Sequence, residues 1–485
     1  MNKNVIKHPK ERVKTSILRF FSSLTVMYVA ATTVGIFITS YLGYRFTEIV
    51  MFKVNDGWCS PGTEGIGDHC FGDFYGFFST ILKDPWGGTP SAYPPISMLY
   101  LKFGAEVMSR YPNQNFLLLL HLLLMILCLV FPIYHMWATG RIKSLQLSIA
   151  LGIGILSTAP AIMVLDRGNN VVLLVPLLYL FYIKFLAGQT SKALTYGVIM
   201  TLWRPQMILL VFAFIALREW RTTAKWILYS IVGTLASFAL FPWNDYGHNL
   251  KSWIKNLIGY QTYESLPSLE PANWSFANVI ATVGNIFSSL SHGTMPILGS
   301  NYAFPASGVP IVSLLFLVGT GIVIFSRGNR GSRFTLLFIV SCLPILIPSV
   351  TYSYYLVILL VPLTLFASLL NSSLVNPTKY YDIVELEIFR GANSIFATRI
   401  STGLFYLTFF SILIPWPIPW RFFGVDGISP LGSIGINWTI GLIAFVLWFL
   451  VLLFNHSKSK YSVQNLNKRV VEQEGFTFPE VPRRP

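Results

Sequence analysis

Very few residues of this chain could move a proton or hold an anion, and they fall in a handful of places. The densest acidic stretch runs from Asp56-Gly57-Trp58-Cys59 to Asp68-His69-Cys70-Phe71-Gly72-Asp73-Phe74-Tyr75. Asp73 opens an aromatic-rich segment, Phe74 to Leu82, that reads as an interfacial helix. An acid in that position either caps the helix N-terminus or serves as a base aimed into a cavity. By residue type alone the cap is the commoner role. Asp68 and His69 are weaker candidates, more often solvated loop groups. Cys59 and Cys70 share this loop, and a disulfide, free thiols or a metal site all stay open, in that order. Cys128 and Cys342 lie in apolar runs and read as packing residues.

Further along, Tyr93-Pro94-Pro95 fixes an extended entry into a helix, placing Tyr93 as a rigid wall beside a cavity and not as a catalytic group. Asp166-Arg167-Gly168-Asn169-Asn170 sits between two apolar runs. Its Asp and Arg could neutralise each other, or its Arg, Gly and Asn amides could form an anion site. Arg204 stands within an apolar stretch, between Trp203 and Pro205-Gln206. An Arg inside hydrocarbon costs at least ~2.5 kcal/mol, so it must meet a carboxylate such as Asp166 or a bound phosphate. The hairpin has no acid of its own, which favours the phosphate. His248, Lys251, Lys255, Glu264 and Asn273-Trp274-Ser275 are further polar candidates, most of them solvated. Tyr352-Ser353-Tyr354-Tyr355 interrupts two apolar runs and suits cavity lining.

The elements that must carry these groups are helices in a bilayer. Apolar residues make up 53% of the 485 and charged ones only 11%, too few for a soluble surface. Continuous apolar runs approach the ~20 residues that cross hydrocarbon as helix, and they do not alternate as barrel strands would. The expected fold is therefore all-α: a polytopic bundle of ten crossings and one re-entrant hairpin. Crossings are expected near 21–43, 115–137, 145–164, 171–187, 225–242, 308–325, 334–349, 354–370, 400–415 and 438–454. The first is read as a retained helix and not a cleaved signal. Segment 192–217 has basic ends and Arg204-Pro205 at its centre, so a hairpin keeps Lys192 and Arg218 on one side. The net charge of +15 is topological, since 25 of the 35 Lys and Arg fall in segments assigned to one side and 9 to the other. That asymmetry puts both termini in the cytoplasm and argues against nucleic-acid binding. Residues 1–20 form a cytoplasmic segment, 21–454 the membrane domain, and 455–485 a disordered tail. Outer loops 44–114 and 243–307 fold back onto the bundle, the first with amphipathic helices.

In order, Gly72-Asp73-Phe74, Tyr93-Pro94-Pro95, Arg167-Gly168-Asn169 and Arg204-Pro205 before Arg218-Glu219-Trp220-Arg221 resemble the GT-C membrane glycosyltransferases. The likeness is nearest to the polyprenyl-phosphate-sugar-dependent group, which includes phosphatidylinositol mannosyltransferases and arabinofuranosyltransferases of the mycobacterial cell envelope. It spans about residues 20–370 and rests on order and spacing. The family often has Gln at the Asn169 position, Lys at that of Arg204, and a His near Ser353-Tyr354-Tyr355 that is missing here. The resemblance implies Asp73 as catalytic base, reversing the cap reading. It implies Arg167 and Arg204 on the donor phosphate, and Asp68, Tyr93, Asn169, Asn273 and Tyr355 lining the cavity. The implied reaction is an inverting sugar transfer from a polyprenyl-phosphate donor to a lipid or glycan acceptor on the extracytoplasmic face, without metal or cofactor.

Two other classes remain in view. A transporter or lipid-linked glycan flippase would carry paired broken helices and ionisable groups across the midplane. A non-catalytic assembly protein would tolerate changes at Asp73, Arg167 and Arg204 together.

Overall fold

A computed structural model describes residues 72–75, 81–82, 84–87, 92–110, 114–140, 142, 145–156, 158–242, 245–262, 274–280, 308–327, 333–348, 351, 353–373, 403–404, 407–408 and 436–458. Among them the regular structure is all helical. The expected crossing at 21–43, most of that at 400–415, and the possible disulfide between Cys59 and Cys70 lie outside the described residues, as do Asp68 and Asn273.

A short turn, α1 (Gly72–Tyr75), carries Asp73, and α2 (Pro95–Arg110) follows the tandem prolines. Next come α3 (Gln114–Ala138), α4 (Leu145–Leu156) and α5 (Ala159–Arg167). The single crossing expected over 145–164 is thus two helices. Pro160 suits the first turn of a new helix, whose N-cap Thr158 is extended, at φ −74° and ψ 148°. After α5 a 3-10 turn (Asn170–Leu173) leads into α6 (Leu174–Leu186), then α7 (Thr190–Trp203). A second 3-10 stretch (Pro205–Val211) and α8 (Phe212–Ala216) lead to α9 (Trp220–Ser237) and α10 (Tyr246–Thr262). The remaining long helices are α11 (Gly308–Arg327), α12 (Arg333–Leu346), α13 (Val357–Ser373) and α14 (Ile436–Lys458).

The chain reverses at Arg204-Pro205. Ten residues beyond Arg204, the Phe214 ring lies 5.3 Å from that of Phe185, at the far end of α6. A helix continuing straight would have carried Phe214 about 15 Å further away instead. From there α9 sets out again alongside α7, with Gly197 against Trp226 and Gly233 against Leu202. The Gly197 contact is close enough that a Cβ would fall 2.3 Å from the indole.

The turns between these helices sort by charge. Arg333 donates to the Phe185 carbonyl and senses Glu219, and Trp220 packs on Phe325. The basic ends around Lys184, Lys192, Arg218, Arg327 and Arg333 therefore gather at one end of the bundle. A large core of α3, α5–α9 and α11–α14 fills the middle, around Tyr179, Phe181, Phe214, Trp226 and Trp448. A smaller apolar cluster of Phe74, Trp86, Met98, Phe238 and Phe241 caps the opposite end.

Outward, the helices present apolar side chains. Phe116, Leu119, Leu123 and Leu127 on α3, Leu228, Ile231 and Leu235 on α9, and Ile311, Leu315 and Ile322 on α11 are all exposed. Among the described residues, two helices, Phe116–Ala138 and Trp220–Leu240, are long and apolar enough to cross a membrane.

Candidate functional site

The end opposite the basic turns holds the groups singled out by the sequence, and Asn169 joins them. Its position is fixed by how α5 stops. Gly168 takes the left-handed conformation, φ 62° and ψ 30°, and its N–H donates to the Leu165 carbonyl while that of Asn169 donates to Val164. This is the helix ending for which glycine carries no Cβ penalty. Asn169 then caps the following 3-10 turn, its Oδ1 accepting from the Val171 N–H at 2.9 Å.

The same amide faces both ways. Asn169 Nδ2 donates to Asp73 Oδ2 at 2.8 Å and reaches the Tyr93 hydroxyl at 3.3 Å. Its Oδ1 accepts from Arg204 Nη2 at 3.0 Å. Because a guanidinium only donates and an ionised carboxylate only accepts, the orientation of this amide is determined by its partners. Asp73 is partly buried, and its carboxylate is engaged by a residue 96 positions away.

Arg204 sits where α7 must end. Pro205 cannot continue the helix, so Arg204 is extended, at φ −144° and ψ 110°. Its side chain turns inward and is 2% exposed. Sequence reasoning offered a carboxylate or a phosphate to compensate it. Among the described side chains it instead meets the amide oxygens of Asn169 and Asn170, with the Tyr93 ring covering it at 4.1 Å. A desolvated cation on an aromatic face gains about 2 kcal/mol. Tyr354 and Tyr355 are buried and add to the electrostatic surroundings of the guanidinium. Among the described residues, Arg204 Nε and Asn170 Nδ2 are buried donors that make no hydrogen bond. Such donors are uncommon.

Tyr93 is more than a wall. Burial first, and then the charge of Asp73, push its phenol well above the ordinary value, so it stays protonated. Arg167 ends α5, partly exposed, with its guanidinium carbon 5.9 Å from the Tyr354 ring centroid. Asp73, Tyr93, Asn169, Arg204 and Tyr355 thus come together, and Arg167 borders them.

Ser97 and His121 at this end were not singled out from sequence, while Asn170 was named within the 166–170 stretch and Trp203 only as a neighbour of Arg204. Asn170 shares Arg204 with Asn169. Ser97 donates to the Trp203 carbonyl at 2.5 Å, and the Trp203 indole donates to the Asn170 carbonyl at 3.2 Å. His121 contacts Gly168. Its isolation among leucines on α3 was the available signal. Asp84, His248 and Asn256 lie apart: His248 pairs with Asp84 at 3.1 Å, and Asn256 donates to the Trp86 carbonyl, tying α10 to the segment at 84–87.

The chain matches no protein-family model and no curated protein, so what this site can do rests on its own chemistry.

Proposed function

We propose that this chain is a membrane-embedded glycosyltransferase that moves a sugar from a polyprenyl-phosphate donor to a lipid or glycan hydroxyl on the extracytoplasmic side. The observation that carries the reading is the Asp73–Asn169–Arg204 chain: a carboxylate and a buried cation held by one amide at one end of an apolar bundle. The reading includes the ten-crossing topology, with the hairpin at Arg204 entering the bilayer and returning. The segregation of basic turns to the opposite end supports it, as does the apolar girdle, which suits hydrocarbon better than water.

In this mechanism Asp73 accepts the proton of the acceptor hydroxyl as its oxygen attacks the anomeric carbon. The bond from that carbon to the phosphate oxygen breaks, its electron pair leaving with polyprenyl phosphate, and the configuration inverts. Positive groups that meet the growing charge on the phosphate lower the barrier. Arg167, partly exposed, suits direct contact. Arg204 lies beneath Tyr93, so a phosphate touches it only with Tyr93 turned aside; otherwise its charge acts through Asn169 and Asn170. The two unbonded donors, Arg204 Nε and Asn170 Nδ2, favour an oxyanion as the partner.

The test is incubation of purified protein with a panel of polyprenyl-phosphate sugars and acceptor lipids, read by mass spectrometry of released polyprenyl phosphate. Asp73→Asn is expected to reduce turnover by about a hundredfold or more without lowering the melting temperature. Turnover that survives in that variant removes Asp73 from the reaction. No release from any donor, with solute moved across vesicles instead, would favour a transporter.

A further inference from the structure

We propose that His121 is a positioning residue that keeps the Asp73 carboxylate and the Asn169 amide in register; this rests on Asp73 acting as the base. His121 lies on α3, is 4% exposed, and uses all of its ring. Nε2 lies 2.9 Å from the Gly168 carbonyl and Nδ1 lies 2.6 Å from the Tyr100 hydroxyl. One face stacks on Phe74, with centroids 4.3 Å apart and the planes 18° from parallel. A carbonyl can only accept, so Nε2 carries the hydrogen, and the neutral ring then receives the Tyr100 proton at Nδ1.

Two of these contacts grip the chain neighbours of Asp73 and Asn169. Phe74 follows Asp73, and Gly168 precedes Asn169. The histidine therefore bridges the turn bearing the carboxylate and the loop bearing the amide that orients it. Tyr100 secures the ring from α2, the helix whose Ser97 also holds the Trp203 carbonyl just before Arg204. Both sides of the Asp73–Asn169 hydrogen bond thus hang on one imidazole. A displacement of about 1 Å in such a pair is enough to cost up to a hundredfold in rate.

The test combines kinetics with a readout that needs no reaction. His121→Phe keeps the stack on Phe74 and removes both hydrogen bonds. It is expected to lower kcat about tenfold or more while leaving KM for the donor within about twofold. His121→Gln, which restores a donor towards Gly168, should recover part of that loss. Tyr100→Phe, far milder for folding, should give a smaller drop of the same kind. Amide hydrogen exchange over Asn169 to Val171 should quicken in His121→Phe, with the rest of α3 unchanged. Wild-type kcat in His121→Phe, a loss that only tracks the folded fraction, or unaltered exchange would each overturn the inference. Should the wild-type protein transfer no sugar at all, the reaction proposed above fails, and the exchange measurement alone decides the clamp.

Discussion

At the scale of single residues, Asn169 links the two charges of the site. Replacing it by alanine removes the donor to Asp73 and one acceptor of Arg204, leaving the guanidinium with Asn170 and Tyr93. We expect Asn169→Ala to lower kcat by about ten- to a hundredfold, since the carboxylate loses its orientation. A wild-type rate in a folded variant would show that Asp73 is held by something else. Tyr93→Phe keeps the ring over Arg204 and loses only the hydroxyl. Its phenol is raised by burial and by the charge of Asp73, so it stays neutral up to alkaline pH in the folded protein. The variant should therefore retain the alkaline limb of the pH–rate profile, and a shift of that limb would assign the titration to Tyr93. Residue types alone brought out Asp73, Tyr93, Arg167, Asn169 and Arg204, because charge and broken helices are rare in apolar sequence. Ser97 and His121 escaped because their roles depend on partners 106 and 47 positions away, which no local pattern encodes.

At the scale of elements, the site depends on two helix endings and one close crossing. Gly168 holds its loop at φ 62°, so Gly168→Ala should cost about 1 kcal/mol in stability and weaken transfer more than melting. Equal activity would mean that the loop tolerates a different exit from α5. Gly197 lets the Trp226 ring lie against α7. Gly197→Ala is expected to destabilise by about 1–3 kcal/mol through overpacking, seen as a lower melting temperature. Pairing it with Trp226→Leu should return part of that loss, and strict additivity would show that the two do not meet. Helix extents near 115–137, 308–325 and 438–454 were legible from apolar length. The division of 145–164 was not, because a run of hydrophobic residues hides a proline that starts a second helix as readily as it kinks one.

At the scale of the whole molecule, the basic turns and the candidate site sit at opposite ends. Lys192 and Arg218 flank the reversal at Arg204, and the packing of Phe214 on Phe185 brings the returning arm back to the basic end. Single cysteines at Lys192 and Arg218 should therefore be labelled from the same side of sealed vesicles, with one at His248 labelled from the other. Labelling of Lys192→Cys and Arg218→Cys from opposite sides would break the topology. The two arms of the reversal also differ in winding. The outgoing arm has 14 α-helical residues; the returning arm has 12, seven of them in the tighter 3-10 form. At about 1.5 Å per α residue and 2.0 Å per 3-10 residue, both arms come to roughly 21 Å. Overwinding thus lets a shorter strand of chain measure the same depth, and leaves no slack in it. Deleting one residue from Pro205–Val211 would shift Arg204 along the bundle axis like a shortened tether, with only the short turn at 217–219 to absorb the change.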